Sequence, residues 1–146
     1  MKAVTINLNR IIFAFSLLGL FVTVFLAYEY AQSGPIICPI TGTGCDLVRR
    51  SGFANLFGID LPYFGLVFYL TIAYLSVWLT HKNAKQVNLI RLALSFVGMG
   101  FGVYLTMLEA FVIGAYCIWC ITSFIISIII FLLCLFGGYI KKDNQS

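Results

Sequence analysis

Residues 92–140 read LALSFVGMGFGVYLTMLEAFVIGAYCIWCITSFIISIIIFLLCLFGGYI and contain one charged residue, Glu109. A membrane-spanning helix needs about 20 apolar residues, so this stretch is too long for one span and matches two spans joined by a tight turn. Gly114 marks the expected turn, because glycine readily adopts the backbone conformation that ends a helix. We therefore predict one helix over 87–113 and another over 116–139.

Two further apolar stretches precede this one and predict helices over 9–30 and 61–80. The whole chain is 62% hydrophobic and 10% charged, whereas a soluble domain carries about 25% charged residues. Disordered chains are poor in apolar and aromatic residues, which excludes disorder for this chain. A net charge of +4 is too small for a nucleic-acid-binding protein. The sequence therefore predicts an all-α membrane protein, a four-transmembrane-helix bundle in which residues 1–146 form a single domain.

The basic residues predict the orientation of this bundle. Arg49 and Arg50 lie in the long loop 31–60, and all other basic residues fall in the segments on the opposite side of the membrane. Cytoplasmic segments are enriched in lysine and arginine, so we expect both termini in the cytoplasm and the loop outside the cell membrane (the cytoplasmic or inner membrane). A cleaved signal peptide is the alternative for the first stretch, although its apolar run is longer than the usual 7–15 residues and no clear cleavage site follows.

Cys117-Ile118-Trp119-Cys120 places a CxxC motif at the predicted outer start of the last helix. Residues three apart lie on the same helix face, so the two sulfur atoms can bond to each other or react together. The free amides and the dipole of a helix N-terminus stabilise a thiolate and are expected to lower the pKa of Cys117. Such a thiol exchanges readily with a disulfide.

Cys38 and Cys45 form a second pair, seven residues apart in the outer loop. One interpretation is a structural disulfide that staples the loop. Another is an exchange pair that carries electrons between an outside protein and the CxxC motif. A zinc site of all four cysteines is disfavoured, because an oxidising compartment does not maintain four free thiolates. Cys134 lies deep in the last helix and is interpreted as a small apolar filler.

The most specific sequence features are Cys45-Asp46-Leu47-Val48 followed by Ser51, then Gly58-Ile59, Phe64-Gly65, Tyr104-Leu105 through Glu109, and Tyr116–Cys120. With these features the chain resembles the vitamin K epoxide reductase family, in its prokaryotic disulfide-forming branch, over nearly its whole length. The order of the two cysteine pairs, loop pair first and CxxC last, is similar to that family as well.

The resemblance implies an electron relay. A secreted thioredoxin-like protein would reduce the pair Cys38/Cys45, the pair would reduce a Cys117–Cys120 disulfide, and Cys120 would pass electrons to a membrane quinone (ubiquinone or menaquinone). No metal is implied. The chain ends at Ser146, so the thioredoxin-like partner is expected to be a separate extracytoplasmic or periplasmic protein.

The quinone-pocket residues expected from the resemblance are Ser51, Phe64, Phe68, Leu105 and Glu109. Glu109 is also a functional candidate in its own right, as an acid within a membrane span; it either relays a proton or extends to the surface.

Two departures from the family bear on the substrate. Vertebrate members carry an Asn just before helix 2 and a Tyr four residues after the CxxC, where this chain has Leu61 and Phe124. Because neither side chain donates a hydrogen bond, ordinary quinone reduction is favoured over the alternative of vitamin K quinone or epoxide reduction. A non-enzymatic membrane protein with structural disulfides is the remaining alternative.

Overall fold

The computed structural model describes residues 2–32, 34–36, 38–40, 42–82 and 84–143, with side chains from residue 5 to residue 139. Its elements, in chain order, are α1 (Lys2–Ala31), α2 (Gly44–Arg50), β1 (Asn55–Leu56), β2 (Ile59–Asp60), α3 (Leu61–His81), α4 (Lys85–Leu108) and α5 (Ile118–Asp143). A π-helical segment, Glu109–Ile113, continues α4. The two short strands pair as an antiparallel hairpin.

Four of these helices are long and apolar enough to cross a membrane, namely α1, α3, α4 with its π-helical segment, and α5. This confirms the prediction of a multi-pass helical membrane protein. The helix bounds differ from the predicted ones at several ends, including the start of α4, at Lys85 rather than 87, and the end of α5, at Asp143 rather than 139. α1 begins at Lys2 rather than at residue 9, because no glycine or proline interrupts the residues before the membrane span. α5 begins at Ile118 rather than at 116, because Cys117 caps it and accepts the Ile121 N–H at 3.0 Å.

The bundle core lies between α1, α3 and α5. Tyr69 of α3 is 1% exposed and donates its hydroxyl to the Ser123 carbonyl of α5 at 2.7 Å. Its ring lies against Gly19 of α1, where a Cβ atom would overlap with the ring. The glycine therefore lets α1 and α3 approach closely around a buried tyrosine.

Arg91 was counted among the charges of the cytoplasmic segments, but the structure buries it inside the bundle with 2% exposure. Its guanidinium donates to Asn9 Oδ1 and to Asn88 Oδ1, both at 2.9 Å, and to Ser76 Oγ at 3.5 Å. The Cys134 thiol, which is fully buried, interacts with the same guanidinium. The side-chain amides and hydroxyl replace the water that a surface arginine would bind, and Cys134 is more than an apolar filler.

The segment between α1 and α3 was expected to be a loop, and it contains α2 and the hairpin. Arg49 of α2 connects this segment to the end of α1 through hydrogen bonds. Its guanidinium donates to the backbone carbonyls of Tyr30 at 3.3 Å, Gln32 at 2.9 Å and Gly34 at 3.0 Å. These carbonyls lie in the last turn of α1 or just beyond it, where helical partners are missing. We call this end of the bundle, with α2 and the start of α5, the cysteine end.

Candidate functional site

The first component of the site is a disulfide between Cys38 and Cys45. Their Cα atoms are 6.0 Å apart. Cys38 exchanges two backbone hydrogen bonds with Gly42, of 2.8 and 3.0 Å, and Cys45 lies in the first turn of α2. Both cysteines are at most 2% exposed, so the disulfide is buried within this segment.

Cys117 lies next to this disulfide. The sulfur atoms of Cys38, Cys45 and Cys117 are all within 4.8 Å of one another. The α2 segment covers Cys117 and leaves it 1% exposed. Because Cys38 and Cys45 are bonded to each other, this cluster offers a single free thiol. Its donor set fits thiol–disulfide exchange better than metal binding.

The π-helical segment and Gly114 bring Cys117 to this position. Gly114 has a φ of 66°, in the left-handed region, and its N–H donates to the Glu109 carbonyl at 2.9 Å. The chain reverses there, as predicted, and the Cys117 N–H donates to the Glu109 carboxylate at 3.2 Å. Glu109 is 3% exposed, so the alternative in which its side chain extends to the surface was wrong.

Cys117 and Cys120 are free thiols in this structure and lie within hydrogen-bonding distance of each other. The hydrogen bond from the Cys120 thiol lowers the pKa of the Cys117 thiol below its ordinary value. The backbone N–H groups of Cys120 and Trp119 act in the same direction, as expected for a helix N-terminus, while burial and the Glu109 carboxylate oppose them. Trp119 packs on Phe25 of α1, with ring centroids 4.7 Å apart, and fixes the start of α5.

Cys120 lines an apolar cavity of about 390 Å³ between the four long helices. Phe64, Phe68, Leu105 and Glu109, predicted as pocket residues, all line this cavity. Its volume lies within the range of small-molecule sites. The apolar lining, with a few polar groups at the thiol, fits a flat ring system such as a quinone.

Ser51, the remaining predicted pocket residue, lies elsewhere. It lines an adjoining cavity of about 30 Å³, and its hydroxyl donates to the Val48 carbonyl at 2.6 Å. Its assignment to the quinone pocket stays a prediction. The side chains shared by the two cavities are those of Tyr30, Leu61, Leu105, Glu109 and Cys120.

Sequence reasoning missed Tyr30. A tyrosine at the end of a membrane span usually belongs to the interfacial aromatic belt, and Tyr30 occupies such a position. Only the fold of α2 over the end of α1 shows that Tyr30 packs on the cluster of Cys38, Cys45 and Cys117.

Comparison with known proteins agrees with this geometry. The sequence model described as the Vitamin K epoxide reductase family matches residues 10–135, which includes all five cysteines. The chain is also 29% identical over 120 residues to the "Thiol-disulfide oxidoreductase LTO1" of Arabidopsis thaliana; the match covers 76% of this chain and 31% of that protein. The chain thus spans less than a third of the length of this relative. On the family match over most of its length, the chain belongs to the vitamin K epoxide reductase family.

Proposed function

We propose that this chain is a membrane thiol oxidoreductase that reoxidises a thioredoxin-like protein and delivers the electrons to a quinone. The observation that carries the proposal is the continuous row of sulfur atoms from the loop to the cavity. The Cys38–Cys45 disulfide lies within 4.8 Å of Cys117, Cys117 contacts Cys120, and Cys120 lines the large apolar cavity.

The relay would begin at the loop disulfide. A thiolate of the reduced partner attacks one loop sulfur, and its second thiol resolves the mixed disulfide, which leaves the partner oxidised and Cys38 and Cys45 as thiols. Both loop sulfurs are buried, so the partner must bind the segment around them. Ile40 and Leu47 flank the disulfide with exposures of 77% and 53%, and offer apolar surface for this contact.

The second exchange would take place between the loop pair and the CxxC. A loop thiolate attacks Cys117 of a Cys117–Cys120 disulfide, and Cys120 leaves as the thiolate. The second loop thiol then resolves the mixed disulfide, so that the loop pair is oxidised again and the CxxC pair holds two electrons. A loop disulfide beside two free CxxC thiols, the arrangement in the structure, is the product expected of this exchange.

A quinone bound in the cavity would supply the acceptor for these two electrons and two protons. Cys120 is the thiol at the cavity and would donate the electrons. Glu109 lies at the same wall and within hydrogen-bonding reach of the Cys120 thiol, where its carboxylate can hold a proton. We assign Phe64, Phe68 and Leu105 to the pocket walls.

Quinone reduction is favoured over epoxide reduction because Leu61 and Phe124, which line the cavity, carry no hydrogen-bond donor. A purely structural role for the disulfide gives no reason for a buried free thiol beside it. We further propose that the cysteine end lies outside the cytoplasmic membrane, since Arg49 and Arg50 are the only basic residues of the chain between α1 and α3. A thioredoxin-like partner would then be a secreted protein.

The test measures quinone reduction by purified protein with two electron donors, a reduced thioredoxin-like protein and a small permeant dithiol. Replacing Cys38 or Cys45 by Ala is expected to abolish turnover with the protein donor and to keep turnover with the dithiol, which reaches the CxxC directly. Cys134→Ala serves as the control and should keep most activity with both donors. Equal failure of the loop variants with both donors would contradict a shuttle role for the loop pair.

A further inference from the structure

The hydroxyl groups that line the large cavity are almost all committed to the protein itself. Each of the threonines and Ser127 donates to a backbone carbonyl of its own helix at 2.7–3.1 Å, and Ser123 pairs with the Tyr69 hydroxyl at 3.0 Å, while Tyr69 donates to the Ser123 carbonyl. The residues in this set are Thr23, Tyr69, Thr71, Thr106, Ser123 and Ser127. A ligand in the cavity can receive few hydrogen bonds from them without breaking existing ones.

Tyr30 is the exception among the cavity-lining residues that the structure describes. Its hydroxyl donates to no other described group, although its backbone carbonyl accepts from Arg49 at 3.3 Å. The Arg49 guanidinium also lies 5.7 Å from the centre of the Tyr30 ring. The ring is therefore held in place at the end of α1, while the hydroxyl proton is uncommitted.

Tyr30 is also next to the reacting thiol. With Glu109 and Cys120 it lines both the large cavity and the adjoining small one, and its phenol is close enough to interact electrostatically with Cys120 and Cys117. The other two residues of this shared wall, Leu61 and Leu105, are apolar. A ligand that reaches Cys120 therefore meets the Tyr30 phenol as the available neutral donor.

We propose that Tyr30 is a catalytic residue whose hydroxyl donates a hydrogen bond to the quinone carbonyl oxygen nearest Cys120. This inference rests on the proposed function. The carbonyl oxygen gains negative charge as electrons leave the CxxC pair, and a fixed donor stabilises that charge more than it stabilises the ground state. Tyr30 keeps its proton, because the thiols of Cys117 and Cys120 supply both electrons and both protons of the hydroquinone when they form their disulfide.

The test compares Tyr30→Phe with Tyr28→Phe, which alters a 61% exposed tyrosine two residues earlier on the same helix. Phenylalanine keeps the ring under Arg49 and removes only the hydroxyl. With the small dithiol as donor, kcat of Tyr30→Phe is expected to fall about 10²-fold or more, and Tyr28→Phe should match the wild type. Thiol exchange between the loop pair and the CxxC, followed by mass spectrometry of alkylated peptides, should be unchanged in both variants.

An infrared spectrum supplies a readout that does not depend on activity. The probe is a short-chain ubiquinone or menaquinone, whichever the wild type reduces, labelled with ¹³C at each carbonyl in turn. One carbonyl band should lie at lower frequency in the wild type, as for a hydrogen-bonded carbonyl, and return to the unbonded frequency in Tyr30→Phe.

The outcomes separate this inference from the proposed function. A wild-type protein that reduces neither quinone would overturn the proposed function and the role of Tyr30 with it. An active wild type whose carbonyl band is unchanged in Tyr30→Phe would overturn the role of Tyr30 alone, whether or not turnover falls, because a loss of turnover would then come from the packing of the loop.

Discussion

At the scale of single residues, the reactivity of Cys117 depends on the residue three positions later. The hydrogen bond from the Cys120 thiol is the largest cause of the lowered pKa of Cys117. Replacing Cys120 by Ala removes this donor, so the pKa of Cys117 should rise and its thiolate fraction at a given pH should fall. Cys120→Ser keeps a hydroxyl donor and should retain most of the lowering.

The measurement is the thiolate absorbance near 240 nm as a function of pH, in protein in which Cys38, Cys45 and Cys134 have been replaced by Ala so that no mixed disulfide forms. The titration midpoint of Cys120→Ala is expected at higher pH than that of Cys120→Ser. Coincident midpoints would mean that the backbone amides of α5, rather than the Cys120 side chain, determine the pKa of Cys117.

The residues that could be found from the sequence are those whose chemistry is unusual in a membrane span. The CxxC spacing, the loop pair and Glu109 stand out in an apolar chain, and the structure brings all of them to one end of the bundle. Tyr30 and Arg91 did not stand out, because tyrosine and arginine near the ends of spans are ordinary interfacial residues. Their burial depends on which helices surround them, and a single sequence does not contain that information.

At the scale of elements, Arg49 links α2 to α1 and so holds the loop disulfide above Cys117. Its guanidinium makes three hydrogen bonds to backbone carbonyls that follow or end α1. Arg49→Ala removes all three, and a shift of about 1 Å between reacting groups can slow a reaction by about 10²-fold. We expect exchange between the loop pair and Cys117 to slow by 10-fold to 10²-fold or so.

The rate is best followed in a Cys120→Ala background, where Cys117 attacks the loop disulfide and the mixed disulfide persists because its resolving thiol is missing. Non-reducing digestion and mass spectrometry measure how fast the loop and Cys117 peptides become joined. Arg50→Ala is the matched control, since the Arg50 guanidinium pairs with Asp46 of its own helix at 2.9 Å. If both arginine variants form the linkage at the wild-type rate, the Arg49 contacts do not position the disulfide.

The elements themselves were largely predictable, and the exceptions have a common cause. Hydrophobic length predicted the four long helices, and Gly114 predicted the turn before α5. The π-helical segment and α2 were not predicted, because both depend on tertiary contacts. Glu109 reaches the Cys117 N–H across the turn, and Arg49 fastens α2 to a helix end that is distant in sequence. No local pattern contains either contact.

At the scale of the whole molecule, the bundle has a polar cluster well apart from the site. The Arg91 cluster joins α1 through Asn9, α3 through Ser76, α4 through Arg91 itself and α5 through Cys134. Cys134 lies 14 residues beyond Cys120, which is about 21 Å along a helix. In the half of the bundle away from the cysteine end, the four spans are therefore connected by their interactions with one buried cation.

The Arg91 Nε–H has no hydrogen-bond partner among the described residues, so the buried guanidinium depends on the hydrogen bonds of its other two nitrogen atoms, since each unsatisfied group in a dry interior costs free energy. Asn9→Leu removes the closest acceptor from another helix and leaves a further Arg91 N–H group without a partner. We expect the free energy of unfolding in detergent micelles to fall by about 1–3 kcal/mol, while the folded protein keeps its activity with the small dithiol. Gln86→Leu, on the exposed surface of α4, is the matched control and should leave stability within about 0.5 kcal/mol of the wild type. A stability loss in Asn9→Leu no larger than in this control would mean that water or lipid, and not the four-helix cluster, satisfies the charge of Arg91.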